Sequence, residues 1–172
     1  MNLKNSIRVV DNFPKEGISF KDITTLLHDP ETLREAIDQM AKIAKNYEFD
    51  YIIAAEARGF VLGTPLAYVM NKGFIPVRKP GKLPADVIQY RYDLEYGSDL
   101  LEIHRDALKE GDRILIVDDL LATGGTSRAM IELCEQMGAE VVACLYLIEL
   151  EFLQGREQLK GYTIESLIPY EE

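Results

Sequence analysis

Two adjacent aspartates followed by a glycine-rich loop are the residues most able to do chemistry in this sequence. Residues 114–126 read Ile-Leu-Ile-Val-Asp-Asp-Leu-Leu-Ala-Thr-Gly-Gly-Thr, so an apolar run ends at Asp118 and Asp119. The loop after them comprises Ala122, Thr123, Gly124, Gly125 and Thr126. Its glycines leave backbone N–H groups free to converge on an anion. Because carboxylates cannot ligate that same phosphate directly, we expect them to face hydroxyl groups, a cation or developing positive charge.

A buried strand and a helix would position this loop. Residues 114–117 form a continuous apolar run, which is typical of a parallel strand covered on both faces. Ligands of such sheets lie at the carboxyl ends of the strands, where we expect both aspartates to be exposed. Helical spacing follows at Ala129, Met130, Leu133 and Met137. The N terminus of that helix suits a phosphate dianion.

Two common phosphate-binding motifs are excluded. No lysine follows the Gly-Gly pair as a P-loop requires, and no Gly-x-Gly-x-x-Gly follows a predicted strand as dinucleotide binding requires. An ordinary turn with a solvated acidic pair is the alternative for Asp-Asp alone, but the whole run disfavours it.

The run at residues 117–126 resembles the phosphoribosyl pyrophosphate motif of type I phosphoribosyltransferases, in the form carried by the adenine phosphoribosyltransferases. The resemblance implies a type I phosphoribosyltransferase fold of class α/β. In that fold a mostly parallel central sheet is flanked by helices and carries an N-terminal hood and an inserted β-hairpin catalytic loop. It implies a single domain over residues 1–172, with a hood at about 1–28, a core at about 29–168 and a flexible hairpin at about 80–104.

Strand and helix patterns alternate along the rest of the chain. Asp29-Pro30-Glu31 predicts the start of a helix. The apolar runs predict strands at 51–55, 74–77, 141–148 and 162–168, with a helix at 60–70. This order fits βαβ units with right-handed crossovers.

One segment departs from this pattern. Apolar and polar residues alternate over 86–95 and predict a β-hairpin that turns at Gly97, Ser98 and Asp99. Such a hairpin could close over the site and exclude water, or could be an ordinary surface hairpin with charged edges. The resemblance favours the first interpretation, because the family has a flexible catalytic loop here. Glu95 and Tyr96 would lie at its tip, with Glu95 as the best candidate to accept the proton that the base loses.

Cations follow two neighbouring predicted strands. Ala57 and Arg58 lie in the turn after residue 55, and Arg78, Lys79 and Lys82 follow residue 77. In a chain with 19 Lys and Arg against 29 Asp and Glu, these are candidates to bind a phosphorylated substrate, although a solvated cluster is the alternative. Both segments are similar to family motifs, the first to the pyrophosphate loop and the second to the start of the catalytic loop. The resemblance also implies a homodimer in which Arg78 reaches the neighbouring site.

Residues 12–24 resemble the N-terminal hood of the adenine phosphoribosyltransferases. The resemblance implies that Phe20 stacks on adenine while the main chains of Ser19 and Lys21 form hydrogen bonds with it. On periodicity alone, Phe13 and Phe20 would be core anchors.

The resemblance therefore implies a purine salvage reaction. A phosphoribosyl group would pass from 5-phosphoribosyl 1-pyrophosphate to adenine, giving AMP and pyrophosphate, with Mg²⁺ held mainly by substrate and water rather than by direct protein ligands. Asp118 and Asp119 would hold the ribose hydroxyls. Two alternatives are a phosphoribosyltransferase for a six-oxo purine and a non-catalytic nucleotide-sensing regulator. The hood disfavours the first, and the absence of a basic face or DNA-binding module disfavours the second.

Composition sets outer limits on function. A net charge of −10 disfavours binding to nucleic acid and to anionic membranes. No segment reaches the ~20 apolar residues that span a bilayer, and residues 1–10 lack a leader pattern, so the cytoplasm is the expected location. Cys134 and Cys144 have no metal-ligand spacing and are expected to be reduced core thiols.

Overall fold

The computed structural model of the chain describes residues 1–94 and 97–172. Its contacts divide into two units, residues 1–39 and 40–172. The first unit contains a 3-10 helix (Leu3–Ser6), strands β1 (Arg8–Asp11) and β2 (Ser19–Asp22), helix α1 (Thr24–His28) and most of α2 (Pro30–Ala44). Strands β1 and β2 are antiparallel. The predicted start of α2 is confirmed, since Asp29 Oδ1 accepts a hydrogen bond of 3.0 Å from the backbone N–H of Glu31.

The second unit contains the central sheet. Its elements in chain order are β3 (Tyr51–Ala55), α3 (Arg58–Met70), β4 (Gly73–Val77), β5 (Val87–Leu94), β6 (Gly97–His104), β7 (Arg113–Leu121), α4 (Gly125–Gln136), β8 (Glu140–Leu150), two 3-10 helices (Glu151–Leu153 and Gly155–Leu159) and β9 (Ile164–Tyr170). Five strands form a parallel sheet in the order β4-β3-β7-β8-β9. The predicted strands and their parallel arrangement are confirmed.

Strand β7 lies in the middle of this sheet. Its residues 114–117 are all fully buried, as expected for a parallel strand covered on both faces. Helix α3 lies close to the sheet because Gly63 has no side chain: a Cβ there would lie 2.9 Å from the Phe74 ring. The small residue at position 63 therefore lets α3 pack directly against the Phe74 ring of β4. Among the helices of residues 1–94 and 97–172, none combines the length and the apolar character needed to cross a bilayer.

The predicted hairpin is present as β5 and β6, an antiparallel pair outside the main sheet. It is joined to the end of β4 by two backbone hydrogen bonds between Arg78 and Glu102, of 3.0 and 2.8 Å. The predicted position of the turn is wrong, since Gly97, Ser98 and Asp99 lie in β6. Cross-strand pairing overrides their turn propensity there: Ser98 Oγ accepts a bond of 2.9 Å from Arg91 Nη1. Glu95 and Tyr96 lie outside the described residues.

Candidate active site

A cavity of about 370 Å³ lies where β3 and β7 meet the N termini of α3 and α4. It is lined by Glu56, Ala57, Arg58 and every residue from 118 to 127. The position matches the rule that ligands of parallel sheets bind at the carboxyl ends of the strands. The structure thus brings together the predicted carboxylates, the phosphate loop (residues 122–126) and one predicted cation, Arg58.

The two aspartates lie inside strand β7 rather than beyond its end. Asp118 pairs with Tyr146 of β8, and β7 continues to Leu121. On the other side of β7, pairing with β3 stops at Ile116. The expectation of an exposed strand end is therefore wrong: Asp119 is only 6% exposed, because the longer β8 continues the sheet past both acids.

Each aspartate has a defined partner. Arg58 Nε donates a hydrogen bond of 2.6 Å to Asp119 Oδ2, and the backbone N–H of Asp119 donates one of 2.8 Å to Asp118 Oδ1. Gly59 allows helix α3 to lie close to Asp118, since a Cβ at residue 59 would lie 3.1 Å from Asp118 Oδ1. Burial, together with the adjacent Asp119 carboxylate, raises the pKa of Asp118 well above its ordinary value. Hydroxyl donors or a nearby positive charge would offset that cost of ionisation.

The phosphate loop ends at the N terminus of α4. Gly124 has a φ of +91°, which favours glycine, and its position caps the helix without a side-chain hydrogen bond. A side chain at Gly124 is also excluded by space, because a Cβ there would lie 2.6 Å from the carbonyl oxygen of Gly155. This is the geometry of an anion-binding helix N terminus.

Lys79 Nζ lies 3.6 Å from Asp99 Oδ2, whereas the other two predicted cations gather at Glu56. Its carboxylate accepts hydrogen bonds from Arg78 Nε at 3.2 Å, from the backbone N–H of Lys79 at 2.8 Å and from Lys82 Nζ. Burial opposes ionisation of this carboxyl, but the bonds from Lys82 and Lys79 lower its pKa below the ordinary value. The lining of the cavity includes Arg58 and Ala57 but not these three cations.

Of two tyrosines that the sequence analysis did not select, one contacts the phosphate loop and the other contacts the first turn of α4. The ring of Tyr92 lies 3.7 Å from the position that a Cβ of Gly125 would take, and its hydroxyl donates a long hydrogen bond of 3.5 Å to Asp99 Oδ2. The hydroxyl of buried Tyr146 donates to Ser127 Oγ in the first turn of α4. The alternation over β5 predicted that Tyr92 faces the apolar side, but no local pattern indicates which residue it meets.

The predicted adenine-binding residues lie in β2 of the first unit. Lys21 Nζ donates a bond of 2.9 Å to Ser19 Oγ. The rings of Phe13 and Phe20 meet edge to face with centroids 5.1 Å apart. Their roles toward adenine stay a prediction.

No ready-made metal site is found where the structure describes the chain. Within residues 1–94 and 97–172, no group of three His, Cys, Asp or Glu side chains could hold a metal ion. The adjacent carboxylates of Asp118 and Asp119 are the oxygen donors at the cavity that a hard cation would find.

Comparison with known proteins decides which family this site belongs to. The phosphoribosyl transferase domain family matches residues 22–165. The adenine phosphoribosyltransferase of Acetivibrio thermocellus is 57% identical over 171 residues, which cover 99% of this chain and 100% of that protein. The chain belongs to the adenine phosphoribosyltransferase family. This assignment confirms the family and the reaction class that the motifs indicated.

Solved structures of the adenine phosphoribosyltransferase family confirm the fold. The crystal structure of the Thermoanaerobacter pseudethanolicus enzyme is 54% identical, with a TM-score of 0.96 over 98% of each chain. The Saccharomyces cerevisiae enzyme, complexed with adenine and an imino-altritol bisphosphate, is 39% identical, with a TM-score of 0.88 over 94% of each chain. The predicted type I phosphoribosyltransferase fold is therefore confirmed.

Proposed function

We propose that this chain transfers the phosphoribosyl group of 5-phosphoribosyl 1-pyrophosphate to adenine, releasing AMP and pyrophosphate in purine salvage. The observation that supports the proposal most strongly is that the Asp118–Asp119 pair and the phosphate loop line the same cavity. A phosphorylated sugar matches this arrangement, since its phosphate suits the helix N terminus and its hydroxyls suit the carboxylates.

The aspartates would stabilise the charge that develops on ribose. Loss of pyrophosphate from the anomeric carbon makes the ring resemble a cation, so positioning and electrostatics dominate catalysis. Asp118 and Asp119 would accept hydrogen bonds from the ribose 2- and 3-hydroxyls. Because burial and the adjacent Asp119 make ionisation of Asp118 costly, its negative charge becomes most favourable as the positive charge on ribose develops.

The 5-phosphate and the pyrophosphate of the substrate would bind at different parts of the cavity. The 5-phosphate would accept hydrogen bonds from the phosphate loop, and pyrophosphate from Arg58 and the backbone at Ala57. Arg78 and Lys82 would join by exchanging Glu56 for pyrophosphate oxygens, and Lys79 by exchanging Asp99 for them. This exchange requires no cation from elsewhere in the sequence, because Arg78 and Lys82 already meet at one carboxylate and the backbone of Lys79 contacts the same group.

The base would be recognised by the hood, which we assign to residues 1–28 of a single domain. Phe20 would stack on adenine, and the main chains of Ser19 and Lys21 would read its edge. Glu95 would accept the proton that the base loses, with Tyr96 beside it on the catalytic loop. The assignments of these residues follow from the family resemblance.

We also propose Mg²⁺ as the cofactor. The adjacent carboxylates of Asp118 and Asp119 at the cavity fit an ion that takes most of its ligands from substrate and water. When bound, Mg²⁺ would neutralise charge on the leaving pyrophosphate. The protein itself would present Asp118 and Asp119 to the ribose hydroxyls and to the water molecules bound to the ion.

The assembly and location are proposed as a homodimer in the cytoplasm. Helix α3 exposes the apolar side chains of Val61, Tyr68 and Val69, and Tyr68 is 86% exposed. Val61 and Tyr68 are seven residues apart and therefore lie on the same face of the helix. A second copy of the chain would cover such a face, and Arg78 would then reach the neighbouring site. Sedimentation velocity of the wild type and of Tyr68→Glu tests this assembly.

A panel of free bases tests the function. The protein is incubated with phosphoribosyl pyrophosphate, Mg²⁺ and adenine, guanine, hypoxanthine or xanthine, and nucleotide and pyrophosphate are quantified by chromatography. We expect equal amounts of AMP and pyrophosphate from adenine, at least ~10²-fold slower turnover of six-oxo purines, and loss of activity in EDTA that added Mg²⁺ restores. Turnover of guanine or hypoxanthine without adenine would instead indicate the six-oxo alternative. Tight binding without turnover would indicate the regulator.

A further inference from the structure

The second 3-10 helix after β8, Gly155–Leu159, lies directly against the phosphate loop and is named the brace here. A Cβ at Gly155 would lie 2.5 Å from the carbonyl oxygen of Ala122, and a Cβ at Gly124 would lie 2.6 Å from the carbonyl oxygen of Gly155. Gln158 Nε2 donates a hydrogen bond of 2.9 Å to the carbonyl oxygen of Thr123. Three loop residues thus touch the brace.

These contacts orient the N–H groups of the loop. The loop peptides are trans, so each carbonyl and the N–H of the next residue point in opposite directions. The Ala122 and Thr123 carbonyls face the brace, and therefore the N–H groups of Thr123 and Gly124 point away from it. Both of those residues line the cavity. The position of the brace consequently sets the direction of two donors available to an anion.

An ion pair between Arg156, which is 53% exposed, and a buried carboxylate fixes the brace. Arg156 Nε and Nη2 donate hydrogen bonds of 2.8 and 2.9 Å to the two carboxylate oxygens of Glu149, which is only 4% exposed. Ser166 Oγ of β9 donates a further bond of 2.7 Å to the same carboxylate. A two-point guanidinium contact restricts orientation as well as distance. The brace is therefore attached to β8 at Glu149, whose carboxylate is also held by a side chain of β9.

A neighbouring ion pair offers a contrast. Lys160 Nζ lies 2.9 Å from Glu157 Oε2, but these side chains are 78% and 63% exposed. Solvent-exposed pairs of this kind contribute little to structure. Substitution of Lys160 is thus a suitable control for substitution of Arg156, because it removes a nearby ion pair without disturbing a buried carboxylate.

We propose that Arg156 and Glu149 are positioning residues that set the affinity for the 5-phosphate through the brace. Neither residue lines the cavity. They act by holding the Thr123 and Gly124 N–H groups in the direction that receives the phosphate. This inference rests on the proposed function, in which the phosphate loop binds the 5-phosphate of phosphoribosyl pyrophosphate.

Steady-state kinetics with both substrates test the inference. Gln158→Leu removes one hydrogen bond to the loop, and we expect it to raise the KM for phosphoribosyl pyrophosphate about three- to tenfold. Arg156→Met should raise that KM by about tenfold or more, and Arg156→Lys should restore part of the loss because one donor remains. The KM for adenine should change by less than about twofold. Lys160→Gln should match the wild type in both constants.

The split between the two KM values separates positioning from mere stability. If Gln158→Leu and Arg156→Met raise both KM values equally, or lower only the melting temperature, the inference is overturned. Should Arg156→Met fail to fold, Gln158→Leu decides alone, since it leaves the Arg156–Glu149 ion pair intact.

Thr126→Val, within the phosphate loop itself, distinguishes this failure from failure of the proposed function. A raised KM for phosphoribosyl pyrophosphate in Thr126→Val, with an unchanged KM in Gln158→Leu, overturns the brace alone. Unchanged values in both variants overturn the 5-phosphate assignment and the inference with it.

Discussion

Replacing Asp118 by Asn is expected to stabilise the protein while nearly abolishing its activity. Burial and the adjacent Asp119 raise the pKa of Asp118 well above its ordinary value of 3.8. A carboxyl whose pKa is raised by folding destabilises the folded state as pH rises: the penalty is absent below the pKa of the unfolded chain and complete above the folded pKa. Asn never ionises, and its Oδ1 can still accept the 2.8 Å bond from Asp119 N.

The size of the effect follows from linkage. Every tenfold difference in acid dissociation constant between folded and unfolded chains corresponds to about 1.4 kcal/mol. We therefore expect Asp118→Asn to raise the free energy of unfolding near pH 8, by about 1.4 kcal/mol for every unit by which folding raises the Asp118 pKa, with a gain that shrinks toward zero near pH 4. Turnover should fall by about 10² to 10³, as when a group that stabilises transition-state charge is removed.

Urea denaturation followed by circular dichroism, without substrate, measures this pH dependence. Asp112→Asn is the matched control of opposite sign. Hydrogen bonds from Lys109 lower the pKa of Asp112, so its contribution to stability is present above the unfolded pKa and is lost as pH falls. Asp112→Asn should therefore destabilise the protein near pH 8. An Asp118→Asn variant that is less stable near pH 8, or whose gain does not vary with pH, would refute the reasoning, as would full activity.

Three further outcomes are expected. Glu56→Gln should lower the free energy of unfolding by about 1 to 2 kcal/mol near pH 7, because bonds from Lys82 and Lys79 outweigh burial and lower the Glu56 pKa; denaturation should show the difference shrinking below the ordinary pKa of 4.5, and a constant difference would contradict this. Phe20→Ala should raise the KM for adenine by about tenfold or more, and an unchanged KM argues against stacking. Burial raises the pKa values of the Cys134 and Cys144 thiols to about 12, so a thiol reagent near pH 8 should label neither residue until the protein is unfolded; rapid labelling of the native protein contradicts their burial.

Local sequence patterns were sufficient for the elements that carry the site. The apolar run before Asp118, the glycines of the phosphate loop and the helical spacing after it predicted a strand, a turn and a helix that the structure contains. Arg58 was also placed correctly, because the carboxyl ends of neighbouring parallel strands meet at one edge of the sheet. The spacing of apolar residues and the residue types of a turn depend only on neighbours in the chain, so both can be read from a single sequence.

The environment of those elements depends on residues far away in the chain. Asp119 is buried because β8 extends beyond the point where β3 stops pairing, and no pattern near Asp119 indicates the length of either neighbour. The gathering of cations at Glu56 likewise joins residues 56 and 82. The brace contacts the phosphate loop from more than thirty positions away. Tertiary packing alone determines these features.

The position of AMP in a crystal structure with AMP, Mg²⁺ and pyrophosphate is the measurement that tests the central claim most directly. We predict that the 5-phosphate accepts hydrogen bonds of about 2.8 to 3.1 Å from backbone N–H groups of residues 122–126. The ribose 2- and 3-hydroxyls should lie at the carboxylates of Asp118 and Asp119, directly or through one metal-bound water. A 5-phosphate bound elsewhere, or ribose hydroxyls turned away from both carboxylates, would contradict the account.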